Sequence, residues 1–141
     1  MNYDYREKKI VAVLNNKIET GIALNVLGHL AISIGNYAKD HMGRPILHDA
    51  SGVTHLGIAR YPLIITKANE NKIRLAIKAA RDNTNILFAD YPRQMLETGH
   101  DDELADSLLL VKEEDIQYLG AIFFGNSEDI NLITGKFSLY K

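Results

Sequence analysis

Between Lys8 and Asn36 the chain switches from an unbroken apolar run to a helical pattern. Ile10–Leu14 reads Ile-Val-Ala-Val-Leu after two lysines, as suits a central strand covered on both faces. Lys17–Gly21 reads as a short turn. Ala23, Leu24, Val26, Leu27, Leu30, Ala31 and Ile34 then recur at helical spacing. Between them Asn25, His29, Ser33 and Asn36 form a polar seam at i, i+4, i+8 and i+11. A strand that runs straight into a helix bearing polar groups is a common frame for a ligand site in an α/β protein.

Further along, Tyr37–Ala59 loses periodicity and is punctuated by Gly43, Pro45, Asp49, Ser51, Gly52 and Gly57. A short hairpin is expected there, Ile46–His48 against Thr54–Leu56 across Asp49–Gly52. Pro62–Lys67 reads as the second core strand. Asn69–Arg81 is an amphipathic helix with Ile73, Ala76, Ile77 and Ala80 as its apolar stripe. Its basic face, Arg74, Lys78 and Arg81, is expected to be solvated. Asn85–Ala89 reads as a third strand stopping at Asp90, Glu103–Val111 as a helix and Tyr118–Phe124 as a fourth strand. Asn126 or Ser127 caps a short helix closed by Gly135. Phe137–Tyr140 reads as a short strand or tail. The alternation defines an α/β class with a parallel or mixed sheet of four main strands in one domain, residues 1–141.

Composition narrows the chemistry. The 46% apolar and 24% charged content is that of a globular domain. The formal net charge of −2 does not favour RNA or DNA as a partner. With no cysteine, disulfides, thiolate catalysis and zinc–thiolate or iron–sulfur centres are excluded. The polar start Met1–Lys8 is not a signal peptide, no run reaches membrane-span length, and a cytoplasmic location is expected. P-loop, dinucleotide and Gly-x-Ser-x-Gly patterns are missing, so no cofactor is expected.

His29 is the sharpest candidate for acid/base work, one helical turn beyond Asn25. Asp90, read as ending a strand, stands where open α/β sheets collect ligands. Thr98-Gly99-His100-Asp101-Asp102-Glu103 is the richest polar cluster. It reads either as a metal site through His100 with a carboxylate or, more simply, as a helix start capped by Thr98 or Asp101, and Thr98 and His100 are ligand-binding candidates. The hairpin brings His48 and His55 into the same region, but no three-ligand metal spacing is present, and no metal is expected.

In order along the chain stand Lys9–Val13, Leu24–Ala31 (Leu-Asn-Val-Leu-Gly-His-Leu-Ala), Pro62–Ile65, Phe88-Ala89-Asp90, Met95–Asp101, Leu119-Gly120 and Gly135–Leu139. With these segments the chain resembles the uncharacterised domain-of-unknown-function two thousand family, within the type II peptidyl-tRNA hydrolase-like superfamily. The resemblance implies a three-layer α/β/α sandwich with a four-strand mixed sheet. It also gives Gly21 a place in ligand binding, since the hydrolases start their first helix with Gly-Lys and carry a Gln and a His on it. Gly21 and His29 match that spacing, whereas Ile22 and Val26 stand in place of the Lys and the Gln. Asp90 matches the hydrolase Asp, and Gln94 replaces the Thr four residues later. A helical stretch, about Thr98–Glu114, is inserted before the next strand.

Three functions follow. One is binding of a small polar or nucleotide-derived ligand in a cleft lined by Asn25, His29, Asp90 and Thr98. Another is an aminoacyl-ester or peptidyl-tRNA hydrolase, disfavoured by Ile22 and Gln94. The last is a non-catalytic domain that pairs as a homodimer. If the chain is an enzyme, it is a hydrolase with His29 and Asp90 as its catalytic pair.

Overall fold

The computed structural model describes residues 3–141; Met1 and Asn2, the beginning of the polar start, lie outside them. Strand β1 (Lys8–Asn15) leads to helix α1 (Thr20–Tyr37) and a 3₁₀ turn at Lys39–His41. The hairpin β2 (Leu47–His48) and β3 (Thr54–His55) follows, then β4 (Leu63–Ala68) and α2 (Glu70–Arg81). Next come β5 (Leu87–Pro92), α3 (Gln94–Glu97), α4 (Asp101–Leu109) and a 3₁₀ turn at Glu113–Asp115. The chain ends with β6 (Tyr118–Asn126), α5 (Ser127–Thr134) and β7 (Ser138–Leu139).

Five strands, not four, make the main sheet, in the order β5-β6-β1-β4-β7. The β1–β4 pair is parallel and every other pair antiparallel, so the sheet is mixed. The extra strand is the C-terminal tail: Ser138 and Leu139 pair with β4, and the Tyr140 amide donates to Ile65 O at 2.9 Å. β1 is central because its apolar run has no polar face to offer solvent. Ile10, Ala12 and Leu14 pack under α1, while Val11 and Val13 pack under α2 and α5. The helices thus lie on both faces of the sheet, α1 on one and α2 and α5 on the other. Ala23, Val26, Leu30 and Ile34 form the buried stripe of α1. Each such aliphatic side chain contributes about 1.5–3 kcal/mol on full burial. Gly120 lets α1 come close, since a Cβ there would sit 3.0 Å from both Val13 O and Val26 Cγ1.

Several boundaries differ from the sequence pattern. α1 starts at Thr20, so Gly21 lies inside its first turn; extended Glu19 is the cap residue and its carbonyl accepts from Ala23 N–H. β5 does not stop at Asp90 but runs on to Pro92. Tyr91 and Pro92 are buried and pair with Gly120 and Tyr118, and an edge strand accommodates a terminal proline. α4 begins at Asp101 behind His100, and neither Thr98 nor Asp101 caps it. Thr98 Oγ1 donates instead to Gln94 O, and Glu103 reaches back to accept from Gly99 N–H. Neither Asn126 nor Ser127 caps α5 through its side chain; the Ser127 hydroxyl is taken up by Arg6 O at 2.6 Å. α2 has a side-chain cap, Asn69 Oδ1 accepting from Lys72 N–H at 2.9 Å. Among the described residues no helix is long and apolar enough to cross a membrane.

A candidate ligand cleft beside the first helix

The polar seam of α1 faces the segment that follows β5. Asn25 and His29 lie one turn apart on α1, both exposed, and look across to Thr98, Gly99, His100 and Asp101. Between them lies a cleft of about 420 Å³. Tyr91, Met95, Leu96 and Leu104 supply its apolar walls. The His29 and Tyr91 rings lie 6.1 Å apart at 57°.

Hydrogen-bond capacity decides what the cleft can hold. The Thr98 hydroxyl spends its proton on Gln94 O at 2.8 Å and keeps lone pairs for a donor. The Asn25 amide and the His29 and His100 rings have no hydrogen-bond partner among the described residues. The cleft therefore offers donors and acceptors together with an aromatic wall. It contains no lysine or arginine.

Asn25, His29, Thr98 and His100 are thus brought together. Asp90 and Gly21 are not. Gly21 is exposed in the first turn of α1 and lines no part of the cleft. Asp90 lies inside β5, and strand alternation sends Ala89 and Tyr91 toward α1 but Phe88 and Asp90 toward α2. Its carboxylate meets Arg81 at 4.0 Å, on the far face of the sheet from His29.

That far face holds a polar network that the sequence pattern had assigned to solvent. Tyr118 donates to Glu113 Oε1 at 3.0 Å and accepts from Arg81 at 3.4 Å. Arg74 donates to Glu113 O at 2.7 Å and to Ile116 O, with its guanidinium 5.1 Å from the Tyr118 ring centre. Burial pushes the Asp90 carboxyl above its ordinary range, the Arg81 charge opposes this, and Glu113 adds to it. Burial also pulls Glu113 upward, but its hydrogen bonds from Tyr118 and Arg81 and the Arg74 charge hold it below the usual value. The network latches the segment before β6 onto α2.

The hairpin places His48 and His55 on opposite faces, because Leu47 pairs with His55 and His48 with Thr54. His55 Nε2 meets Asp49 Oδ2 at 2.9 Å, and Asp49 Oδ1 accepts from Ser51 and Val53 N–H. The His55 contact, then the Val53 bond, hold the Asp49 pKa down. Among the described residues no three His, Cys, Asp or Glu side chains converge as metal ligands.

Tyr91 and Leu104 line the cleft without having stood out in the sequence, and Asp101, read there as a possible helix cap, lines it too. Tyr91 was readable in principle, since extending the strand by two residues puts it opposite Asp90 in the alternation.

Fold and cleft together define a three-layer α/β protein with a polar pocket flanking its first helix. The chain belongs to the family described as Protein of unknown function (DUF2000), whose model matches residues 8–141. A protein of unknown function from Agrobacterium tumefaciens strain C58 is similar in structure, with a TM-score of 0.83. The match covers 96% of this chain and 98% of that one at 18% identity, which speaks for the fold alone. No curated protein matches the chain.

Proposed function

We propose that the protein binds a small, planar, polar ligand of the nucleobase or nucleoside kind in the cleft between α1 and the 94–104 segment. The observation that carries this reading is the set of unengaged amide and imidazole groups at Asn25, His29 and His100 beside the Tyr91 ring. A nucleobase edge presents donors and acceptors together, and its faces suit an aromatic and thioether wall. The lack of a cation in the cleft favours the base over a phosphate. The type II peptidyl-tRNA hydrolase-like classification belongs with this reading, since the central strand feeding a helix with His29 is the part of the pattern that matches. Catalysis of that kind is disfavoured: Ile22 and Gln94 occupy the places of the Lys and the Thr, and Asp90 lies across the sheet from His29.

The test is a thermal-shift titration with adenosine, guanosine, cytidine and uridine on wild type, Asn25→Ala and His29→Ala. A nucleoside at about 100 times its Kd adds about 2.7 kcal/mol, a clear rise in Tm. Both side chains are exposed and unbonded, so both variants should fold with changes within about 0.5 kcal/mol. The expected result is a shift in wild type that either substitution weakens at least about tenfold. No shift with any of the four, or equal binding by both variants, overturns the reading.

A second reading has its own observation. Ile32 on α1 and Leu56 and Ile58 beyond the hairpin are 75%, 80% and 75% exposed. Such apolar exposure favours pairing of two copies. Light scattering across a wide concentration range should return a dimer mass, and a monomer mass throughout would remove this reading.

A further inference from the structure

The main sheet has one place where neighbouring parallel strands send their helices to opposite faces. β1 feeds α1 on one face, and β4, beside it and parallel, feeds α2 on the other. In open α/β sheets such a divergence opens a crevice at the carboxyl edge of the two strands, and ligands collect there. Here the two strands end level, Asn15 opposite Ala68, and a cavity of about 470 Å³ lies just beyond them. It shares no lining residue with the cleft beside α1.

The lining is charged and amide-rich. Lys17 follows β1, Glu70 and Asn71 follow β4, and Arg93 and Gln117 enter from the ends of β5 and β6. Charge bookkeeping favours an anion. Glu70 already lies 3.6 Å from Arg74. Arg93 uses only Nε, which donates to Gln117 Oε1 at 2.6 Å. Among the described residues its terminal nitrogens and the Lys17 ammonium have no partner, so two cations face one cavity with their charge unspent. Asn15 is 7% exposed and fixes the approach of Lys17, its Oδ1 accepting from Lys17 N–H at 2.9 Å.

We infer that this crevice is a second binding site, for the phosphate or carboxylate group of a small metabolite held between Lys17 and Arg93. Arg93 supplies a planar pair of donors and Lys17 a point charge. The neutral amides of Asn71 and Gln117 supply orientation. The site does not depend on the α1 cleft, and the two can fail separately.

Amide-resolved NMR titration at constant ionic strength tests it, with inorganic phosphate in one arm and acetate in the other. Saturable shifts are expected at Lys17, Ile18 and Asn71 with a Kd below about 10 mM for at least one anion. The arm that saturates tighter identifies phosphate or carboxylate as the group. The double variant Lys17→Gln/Arg93→Gln should weaken binding at least about tenfold, while Lys78→Gln, on exposed α2 surface, should leave it unchanged. Absence of saturation with both anions overturns the inference. So does equal binding by the double variant, or an equal loss in Lys78→Gln, which would mark diffuse surface charge.

Discussion

Asn15 is a buried asparagine at the end of β1, and its substitution gives the sharpest stability test. Its Nδ2 donates to Tyr118 O at 3.1 Å, tying the end of β1 to the start of β6. Its Oδ1 accepts from Lys17 N–H at 2.9 Å, holding the turn into α1. Asn15→Ala removes both bonds, worth about 1 kcal/mol each. The two orphans differ. Lys17 is exposed, so water re-solvates its amide, whereas Tyr118 is 1% exposed and its carbonyl has no such recourse. The expected cost is therefore about 2–3 kcal/mol, or about 6–9 °C in Tm for a chain of this size. Asn15→Asp distinguishes this account from a general loss of packing. An ionised Asp keeps the acceptor for Lys17 but turns an oxygen toward Tyr118 O, so at neutral pH it should cost more than alanine. Protonation restores a donor. The buried acid has a folded pKa above its unfolded one, so its penalty should shrink as pH falls through the carboxylate range. Urea denaturation followed by circular dichroism at pH 7 and pH 4 measures both. An alanine cost under about 0.5 kcal/mol, or an Asp penalty that does not change with pH, would refute the argument.

Two further tests bear on other parts of the fold. Burial raises the folded pKa of Asp90, so the native state holds its proton more tightly than the unfolded chain and the carboxylate costs stability as pH rises through that pKa. Asp90→Asn should therefore gain in Tm over wild type between acid and neutral pH; a loss over that interval would mean that the Arg81 contact outweighs desolvation. Gly57→Ala would put a Cβ 1.8 Å from Arg44 O, in a residue whose own N–H donates to Ile58 O at 2.9 Å. A loss of about 1–3 kcal/mol, with faster hydrogen exchange at the Arg44 amide, is expected, and unchanged melting and exchange would sink it.

The long periodic elements were legible because burial follows directly from pattern. Ile10–Leu14 is apolar at every position and became the central strand; Ile73, Ala76, Ile77 and Ala80 sit at helical spacing and became the buried stripe of α2. What pattern left open, such as whether Phe137–Tyr140 is a strand or a tail, or assigned to solvent, was set by partners distant in the chain. Ser138 and Leu139 form a strand only because β4 offers an edge, and both side chains remain exposed, leaving no alternation to read. Arg74 and Arg81 look like a solvated face until the turn at Glu113 comes back to meet them.

Asp90 shows how one boundary controls a functional reading. Ending the strand at Ala89 frees the next residue to turn in any direction, including toward His29. Continuing it to Pro92 removes that freedom, because side chains in a strand alternate with period two. Asp90 must then share a face with Phe88, and Phe88 stacks on Phe123 within the α2 side of the core. The pair that can meet across the α1 cleft is His29 and Tyr91, and the pair on the far face is Asp90 and Arg81. A proton cannot pass directly between His29 and Asp90, which face opposite sides of the sheet. Any chemistry at His29 must therefore draw on His100, Asp101 or the ligand itself, and any pH response of Asp90 reports on the fold rather than on the cleft.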